Sequence, residues 1–286
     1  MIFGLAAALG WGCSDLLAAI GSRRMGSRAT VMVAQIVGLL CFGILWLVTS
    51  PEWRIPARDV VILLGSGCFA GIAYFTAYRG LELGPVALVS PIASAFAAVT
   101  VLLAVVLLGE SLGPVLLSGV VLTIVGVVLA SADLRRFEVE AKRHRRGLPY
   151  AFAAMVGFGV AAFVSGSLAK NYGWLPPVAL SRVGSLVLIT AVTFAMRGRN
   201  GGRMQRRISA PNLGIAAAAG FTDILGVAAY SRGSELGLIS IVAAVSATFT
   251  LIPVAGGILL FSERPAPNQL LGLLLVIGGL VTLGAA

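Results

Sequence analysis

The chain contains 286 residues, of which 58% are hydrophobic and only 11% are charged. Because a water-soluble domain carries about 25% charged residues, this composition excludes an ordinary soluble protein and indicates a membrane protein. The formal net charge of +10 does not indicate nucleic-acid binding, since the basic residues are concentrated in a few connecting segments, a pattern typical of membrane insertion and of contact with anionic lipid.

Long apolar runs separate these charged segments, and each run is about long enough to cross a bilayer. We therefore predict an all-α, polytopic membrane protein with ten transmembrane helices, at residues 2–20, 29–49, 60–79, 85–108, 114–132, 148–168, 176–196, 211–231, 238–261 and 268–285. The first run is not predicted to be a cleavable signal, because a second span follows it and because it belongs to an internal repeat.

The internal repeat divides the chain into two halves. The sequence RGLELG at residues 79–84 recurs as RGSELG at residues 232–237, and the match continues without a gap to the end of the chain. We predict a first five-helix repeat at residues 1–133, a charged linker at 134–147 and a second five-helix repeat at 148–286. Because five is an odd number, the second repeat should enter the membrane from the opposite face. Inverted repeats of this kind are typical of secondary transporters, whose substrate site lies near the membrane midplane.

Short motifs recur in the same order in the two halves, and all of them except the prolines Pro91 and Pro253 occupy matching positions. The first half contains Trp11-Gly12, Ser90-Pro91, Leu108-Gly109-Glu110, Gly119 and Gly126. The second half contains Phe158-Gly159, Pro253, Phe261-Ser262-Glu263, Gly272 and Gly279. In the order and duplication of these motifs, the chain resembles EamA-type transporters of the drug/metabolite transporter superfamily. The resemblance implies ten helices around a central cavity and the export or exchange of small metabolites by alternating access, and it names no substrate.

The distribution of basic residues predicts the orientation in the cell membrane. The two largest basic clusters, at residues 135–146 and 197–207, fall on the same side if the spans alternate. The positive-inside rule places this side in the cytoplasm and therefore places both termini outside the cell. The family resemblance implies cytoplasmic termini instead, and our expectation follows the charge distribution.

Three charged residues break the repeat symmetry inside the membrane, namely Asp15, Arg182 and Asp223. Their repeat partners are Ala162, Gln35 and Ala70. Charges at this depth are costly and normally face a cavity or one another. From a helical rise of about 1.5 Å per residue, we predict an ion pair between Arg182 and Asp223. We expect Asp15 to be the free group, which would carry a proton or meet a substrate ammonium. The alternatives are that the pair is only a structural clamp and that Asp15 lies near a loop.

The predicted substrate site combines these charges with aromatic and polar residues of the same spans. The set is Trp11, Ser14, Asp15, Gln35, Tyr74, Tyr78, Phe158, Arg182, Asp223 and Tyr230. An aromatic wall with a few polar groups is typical of a small-molecule site. For Tyr78 and Tyr230, which lie near helix ends, anchoring at the membrane interface is the alternative interpretation.

A second set of residues is predicted to have structural or gating roles, because most of its members recur in both halves. The set is Arg79, Glu82, Pro91, Glu110, Arg232, Glu235, Pro253 and Glu263. The arginine and glutamate three residues apart at each repeat motif can form local ion pairs. The two prolines should each free a backbone carbonyl, which produces a kink, a hinge or a cavity-facing carbonyl.

These features together predict a secondary transporter for a small metabolite, such as an amino acid or another amphipathic compound, that works as an exporter or exchanger. A passive channel and a non-transporting scaffold are the alternatives. An enzyme is not expected, because His144 lies in the linker and the three cysteines lie in apolar runs without metal-ligand spacing. The expected partners are a small-molecule substrate and the lipid bilayer, with no cofactor, metal or nucleic acid.

Overall fold

The structure is a computed structural model, and it describes residues 1–50, 55–83, 89, 92–131, 147–195, 208–252 and 266–285. Regular structure in these ranges is entirely helical. The helices are α1 (Ile2–Met25), α2 (Ser27–Thr49), α3 (Ala57–Leu83), α4 (Phe96–Leu108), α5 (Pro114–Ser131), α6 (Leu148–Tyr172), α7 (Leu175–Ala195), α8 (Ala210–Leu236), α9 (Ile239–Ser246) and α10 (Pro267–Ala285). Seven of them are long and apolar enough to cross a bilayer, whereas α4, α5 and α9 are shorter.

Local sequence explains several helix boundaries. Pro149 and Pro211 lie in the first turns of α6 and α8, where proline costs no hydrogen bond. Gly26 separates α1 from α2 with φ at 91°, and Gly109 ends α4 with φ at 65°. Side chains other than glycine rarely adopt such positive φ values. The predicted first span ended at residue 20, but α1 continues through Arg23, because a basic last turn is compatible with the helix dipole.

The fourth and ninth spans, predicted at residues 85–108 and 238–261, each contain a tight turn among the described residues. In the fourth span a turn at Ala95 precedes α4, and the amide of Ala98 donates to the Ala95 carbonyl three residues earlier. In the ninth span α9 passes into a 3-10 turn at Ala247–Thr250. The two interruptions are equivalent in the repeat. Such tight turns are frequent at helix ends, and hydropathy does not reveal them because the flanking residues keep the mean hydropathy of each span high.

Helix packing repeatedly joins the two halves of the chain. Helix α1 packs against α8 and α6 packs against α3, while α5 packs against α10. Each of these pairs takes one helix from the first half and one from the second. Large apolar side chains such as Leu9, Leu47 and Val48 are exposed on the outer faces, as expected for helices that contact lipid.

Glycines allow these helices to approach closely, and their contacts are similar in the two halves. A Cβ atom at Gly67 would lie 2.2 Å from the Ser181 carbonyl oxygen, and one at Gly220 would lie 2.5 Å from the Ala34 carbonyl oxygen. In the same way, a Cβ atom at Gly12 would lie 2.8 Å from a backbone oxygen of the facing half. Small residues at helix contacts are typical of membrane proteins, where close packing replaces the hydrophobic driving force.

Candidate functional site

A central cavity lies between helices of the two halves. The described residues that line it are Trp11, Ser14, Asp15, Ala70, Tyr74, Ala77, Tyr78, Ala93, Phe96, Phe158, Ala161, Ala162, Ser165, Val178, Ser181, Arg182, Ser185, Asp223, Val227, Tyr230 and Phe249. Nine of the ten predicted substrate-site residues therefore line the same cavity. The tenth, Gln35, is buried behind the wall and contacts Arg182.

The predicted ion pair between α7 and α8 is confirmed. Arg182 Nη2 lies 2.6 Å from Asp223 Oδ2, and the two side chains are only 3% and 6% exposed. A charge pair this deep in a low-dielectric interior repays its desolvation cost only when further hydrogen bonds satisfy the remaining polar atoms.

Two neutral residues of the first half supply those further hydrogen bonds. The Tyr74 hydroxyl donates to both carboxylate oxygens of Asp223, at 3.0 and 3.1 Å. Arg182 Nη1 donates to Gln35 Oε1 at 2.8 Å, and the Ser185 hydroxyl donates to the same oxygen at 3.2 Å. We call these five residues the polar network. It joins α2 and α3 of the first half to α7 and α8 of the second half.

Aromatic rings complete the enclosure of the arginine. The guanidinium carbon of Arg182 lies 5.0 Å from the centroid of the Tyr74 ring and 6.0 Å from that of Phe42. Contacts of this kind are favourable cation–π interactions. The Tyr74 ring also packs edge-on against Phe158, with centroids 5.0 Å apart.

A second group of aromatic residues surrounds Trp11. The Trp11 ring meets Phe96 and Phe249 edge-on, at centroid distances of 5.8 and 6.3 Å, and it meets Tyr230 at 5.5 Å. We call these four residues the aromatic group. Sequence analysis did not assign Phe96 and Phe249 to the site, although their identity at equivalent repeat positions was a signal that could have done so. They directly follow or lie within the two tight turns.

Asp15 lies on the cavity wall, one helical turn from Trp11. The expectation that its carboxyl is free was wrong, because Asp15 takes part in an interaction within the protein. The Tyr78 phenol on the same wall lies within electrostatic reach of it. In a packed bundle, polar groups on neighbouring helices can interact with a carboxyl that has no charged repeat partner. The neighbouring Ser14 hydroxyl donates to the Ala219 carbonyl at 3.0 Å and so joins α1 to α8.

Tyr78 and Tyr230 are buried, with 4% and 3% of their surface exposed. Both line the cavity, so the alternative interpretation as anchors at the membrane interface is not supported. The Tyr230 hydroxyl has no hydrogen-bond partner within the part of the chain that the structure describes. A buried donor of this kind usually has a partner, and the Ser234 side chain lies next to this hydroxyl.

Glu110 connects the two halves away from the cavity. It lies between α4 and α5, and its carboxylate accepts hydrogen bonds from the backbone amides of Ile239 and Ser240, at 2.9 and 3.1 Å, and from the Ser240 hydroxyl at 2.7 Å. Lys170 Nζ lies 3.1 Å from the same carboxylate. Burial raises the pKa of Glu110, but the Ser240 hydroxyl, the two amides and Lys170 together outweigh this effect and lower the pKa below its ordinary value. Glu110 thus caps the N-terminus of α9 in the other half.

The predicted local ion pairs are confirmed at both repeat motifs. Arg79 pairs with Glu82, and Arg232 pairs with Glu235, each at 2.7 Å. A gating role for these residues stays a prediction. Pro91, Pro253 and Glu263 lie outside the described residues. Within the described ranges, no group of three or more His, Cys, Asp or Glu side chains is placed to hold a metal ion.

Comparison with known proteins agrees with the motifs. Residues 1–132 match the model of the EamA-like transporter family. No curated protein sequence gives a significant match to the chain. A solved structure titled only "Crystal structure of protein" has a TM-score of 0.76 and 17% sequence identity to this chain, and the similarity covers 99% of this chain and 96% of that one. Identity this low shows a shared fold and says nothing of the substrate. The first 132 residues are therefore similar to the EamA-like transporter family, and the chain is a multi-pass cell-membrane protein.

Proposed function

We propose that the protein is a secondary transporter that moves a small metabolite across the cell membrane by alternating access, as an exporter or exchanger. The observation that carries the proposal is the polar network at the wall of a central cavity. Intramembrane charges are costly and usually mark a substrate or ion pathway. Here the ion pair lies beside a cavity, and residues of both halves hold it, so movement of the halves relative to each other would change the site.

The proposal includes ten transmembrane helices arranged as two inverted five-helix repeats, at residues 1–133 and 148–286. Two observations support it. Equivalent glycines contact equivalent backbone positions across the two halves, as Gly67 with Ser181 and Gly220 with Ala34. Equivalent tight turns also interrupt the fourth and ninth spans. Inverted repeats allow the two halves to exchange conformations around a fixed central site.

A passive channel is the competing function, and flux measurements on the purified protein in liposomes separate the two. A transporter should give saturable uptake and counterflow, in which unlabelled substrate inside drives transient accumulation of labelled substrate. A channel should give uptake that does not saturate and shows no counterflow. A metabolite screen in this format identifies the substrate, with protein-free liposomes as the control.

We also propose that both termini lie outside the cell, on the basis of the basic clusters at residues 135–146 and 197–207. In a background in which the three native cysteines are replaced by alanine, Ser111→Cys should react with an impermeant thiol reagent on intact cells. Asn200→Cys should react only after the cells are permeabilised. The reverse pattern would overturn the orientation.

A further inference from the structure

Arg182 has hydrogen-bonding capacity that the protein does not use. A guanidinium group has five N–H donors. Hydrogen bonds to Gln35, Asp223 and Tyr74 account for three of them. The residues that the structure describes supply no hydrogen-bond acceptor for the other two. Because Arg182 also lines the central cavity, this arginine can hold a further acceptor that enters from the cavity, such as a carboxylate.

The charges of the polar network allow an anion to bind and exclude a cation. Arg182 and Asp223 carry opposite charges 2.6 Å apart, and the other three residues of the network are neutral. A net charge at this depth in the membrane is costly. When an anion binds, the network stays neutral if Asp223 takes up one proton. When a cation binds, neutrality would require Arg182 to lose a proton, which arginine does not do in proteins.

The Tyr74 hydroxyl can satisfy Asp223 in both of its protonation states. At present it donates to both carboxylate oxygens, at 3.0 and 3.1 Å. A phenol is both a donor and an acceptor, so a protonated Asp223 can instead donate its own proton to the Tyr74 oxygen. The protonated carboxyl is then not left as an unsatisfied buried group, and the Tyr74 hydroxyl can donate to the incoming carboxylate.

The titratable groups around Asp223 do not supply a second cation. Its ion-pair partner on α7 and the Tyr74 hydroxyl on α3 contact it directly, and Tyr78 on α3 lies within electrostatic reach. Asp15 on α1 and Tyr230 on α8 line the same cavity. Helix α2 contributes a neutral amide to the network, the described cavity residues of α6 are not titratable, and α9 contains no titratable side chain. Asp223 is therefore the proton acceptor within the polar network.

We propose that the substrate is a monocarboxylate with an apolar or aromatic part, and that it binds and crosses the membrane together with one proton. The substrate carboxylate forms an ion pair with Arg182, and the Asp223 carboxylate takes a proton from solution. The network holds one positive and one negative charge before and after this exchange. The apolar part packs on the alanine and aromatic side chains of the cavity wall.

This inference rests on the proposed transport function and specifies its substrate class and its coupling ion. An exporter of this kind is driven by the outward concentration gradient of the carboxylate. The coupling proton is assigned to Asp223, whereas the sequence had suggested Asp15 as a proton carrier.

Proton uptake on binding tests the proposal. Isothermal titration calorimetry with the purified protein in detergent compares 3-phenylpropanoate, 2-phenylethylamine, 2-phenylethanol and phenylalanine, in two buffers that differ in ionisation enthalpy. We expect the propanoate to bind at least about tenfold more tightly than the other three, a difference of about 1.4 kcal/mol. Its binding should take up about one proton, so that its Kd rises about tenfold per pH unit as the buffer becomes more alkaline. Binding without proton uptake, tighter binding of the amine or of phenylalanine, or no binding of the propanoate would overturn the inference.

Variants then assign the proton to a residue. Asp223→Asn imitates the protonated carboxyl, so it should bind the propanoate without proton uptake and with a Kd that does not depend on pH. This variant leaves the buried Arg182 without its partner, and the propanoate should raise its unfolding temperature more than that of the wild type. Asp59→Asn is the matched control, because Asp59 bonds to Tyr172 at the end of α6 and does not line the cavity. Proton uptake that persists in Asp223→Asn, or is lost in Asp59→Asn, would overturn the assignment.

A neutral double variant keeps the test decisive if Asp223→Asn does not fold. Arg182→Gln with Asp223→Ala leaves no buried charge unpaired, and thermal unfolding curves show whether it is folded. The folded double variant should bind the propanoate at least about tenfold more weakly than the wild type. Unchanged binding of the propanoate in this variant would overturn the proposed site.

Counterflow in liposomes separates this inference from the proposed function, with protein-free liposomes as the correction for diffusion of the uncharged acid. Binding of the propanoate with proton uptake, but without counterflow of any compound, would contradict transport and leave the carboxylate site intact. Saturable counterflow of the amine or of phenylalanine, without competition by the propanoate, would contradict the carboxylate site and leave transport intact.

Discussion

Gly67 packs on the backbone of Ser181 and its repeat partner Gly220 packs on the backbone of Ala34, so these two helix contacts are equivalent. The cavity behaves differently. Arg182 forms an ion pair, whereas its repeat partner Gln35 is neutral and serves as one of its acceptors. The repeat therefore preserves the packing between helices, whereas the charged side chains of the cavity have neutral residues as their repeat partners.

The proposed transport by alternating access gives a physical reason for this difference. Alternating access by an inverted repeat requires that each half can adopt the conformation of the other, so their helix contacts must be interchangeable. A small organic substrate has no two-fold symmetry, and its binding site therefore requires different groups on the two sides. Substitutions at equivalent positions should accordingly have equal effects in the helix contacts and unequal effects in the cavity.

The largest effect is expected at Arg182. Arg182→Ala leaves the Asp223 carboxylate buried without its ion-pair partner, and such losses amount to about 3–5 kcal/mol. We expect a large fall in the thermal unfolding temperature in detergent or in the yield of folded protein, together with loss of flux.

A double variant separates folding from function at this pair. Arg182→Gln with Asp223→Ala gives the second half the neutral residue types that the first half has at Gln35 and Ala70. It should recover stability because no charge is left unpaired, but it should not recover transport. If each single change leaves both the unfolding temperature and the flux unaltered, the ion pair has no role in either.

The next largest effects are expected at the equivalent glycines. Gly67→Ala and Gly220→Ala each place a Cβ atom closer than 3.0 Å to a backbone oxygen, and overpacking of this kind costs about 3 kcal/mol. The two variants should lose stability by similar amounts, measured as unfolding temperatures. Gly65→Ala is the control, because a Cβ atom there meets no atom within 4 Å. A loss at only one of the two sites would show that the contacts are not equivalent.

The sequence predicted those features that depend on hydropathy, on the internal repeat and on charged residues whose repeat partners are neutral. Long apolar runs predicted the helical membrane fold, and depth along the helices predicted the pair of Arg182 with Asp223. The polar network was not predicted as a network, because the hydrogen bonds of Tyr74 and Gln35 depend on how four helices pack. The capping of α9 by Glu110 also joins residues about 130 positions apart, and no local pattern connects them.

The tight turns of the fourth and ninth spans were also not predicted from the sequence. Single residues such as Ala95 and Thr248 barely change the mean hydropathy of a long apolar run, so the run is predicted as one span. Their equivalence in the repeat can be recognised only when the backbone is known. Phe96 and Phe249 were therefore not placed in the cavity, although both rings contact Trp11.

A moderate effect is expected at Glu110, which stabilises a contact between the halves. Glu110→Gln replaces a carboxylate that accepts from two amides and a hydroxyl, and it should cost about 2 kcal/mol. The pKa of Glu110 is lowered from its ordinary value of 4.5, so its stabilising contribution is complete above that pH and is lost as the pH falls through the lowered pKa. The difference in unfolding temperature between wild type and Glu110→Gln should therefore stay constant from about pH 5 to pH 8 and shrink in more acidic buffer. A difference that does not depend on pH in acid would contradict this role of the charge.

The smallest effects are expected at the twin ion pairs, which are Arg79 with Glu82 and Arg232 with Glu235. Arg79 and Arg232 are partly exposed, and exposed ion pairs contribute about 0–1 kcal/mol. Glu82 has an additional function, because its Oε2 also accepts from the backbone amide of Ser27 at the start of α2, at 3.3 Å. The Oε2 atom of Glu235 has no hydrogen-bond partner among the described residues. Glu82→Gln should therefore lower the unfolding temperature slightly more than Glu235→Gln, by an amount equivalent to about 0.5–1 kcal/mol, because it also weakens a charge-assisted cap of α2. Equal losses in the two variants would show that the contact with Ser27 adds nothing and that the twin pairs are equivalent in energy as well as in position.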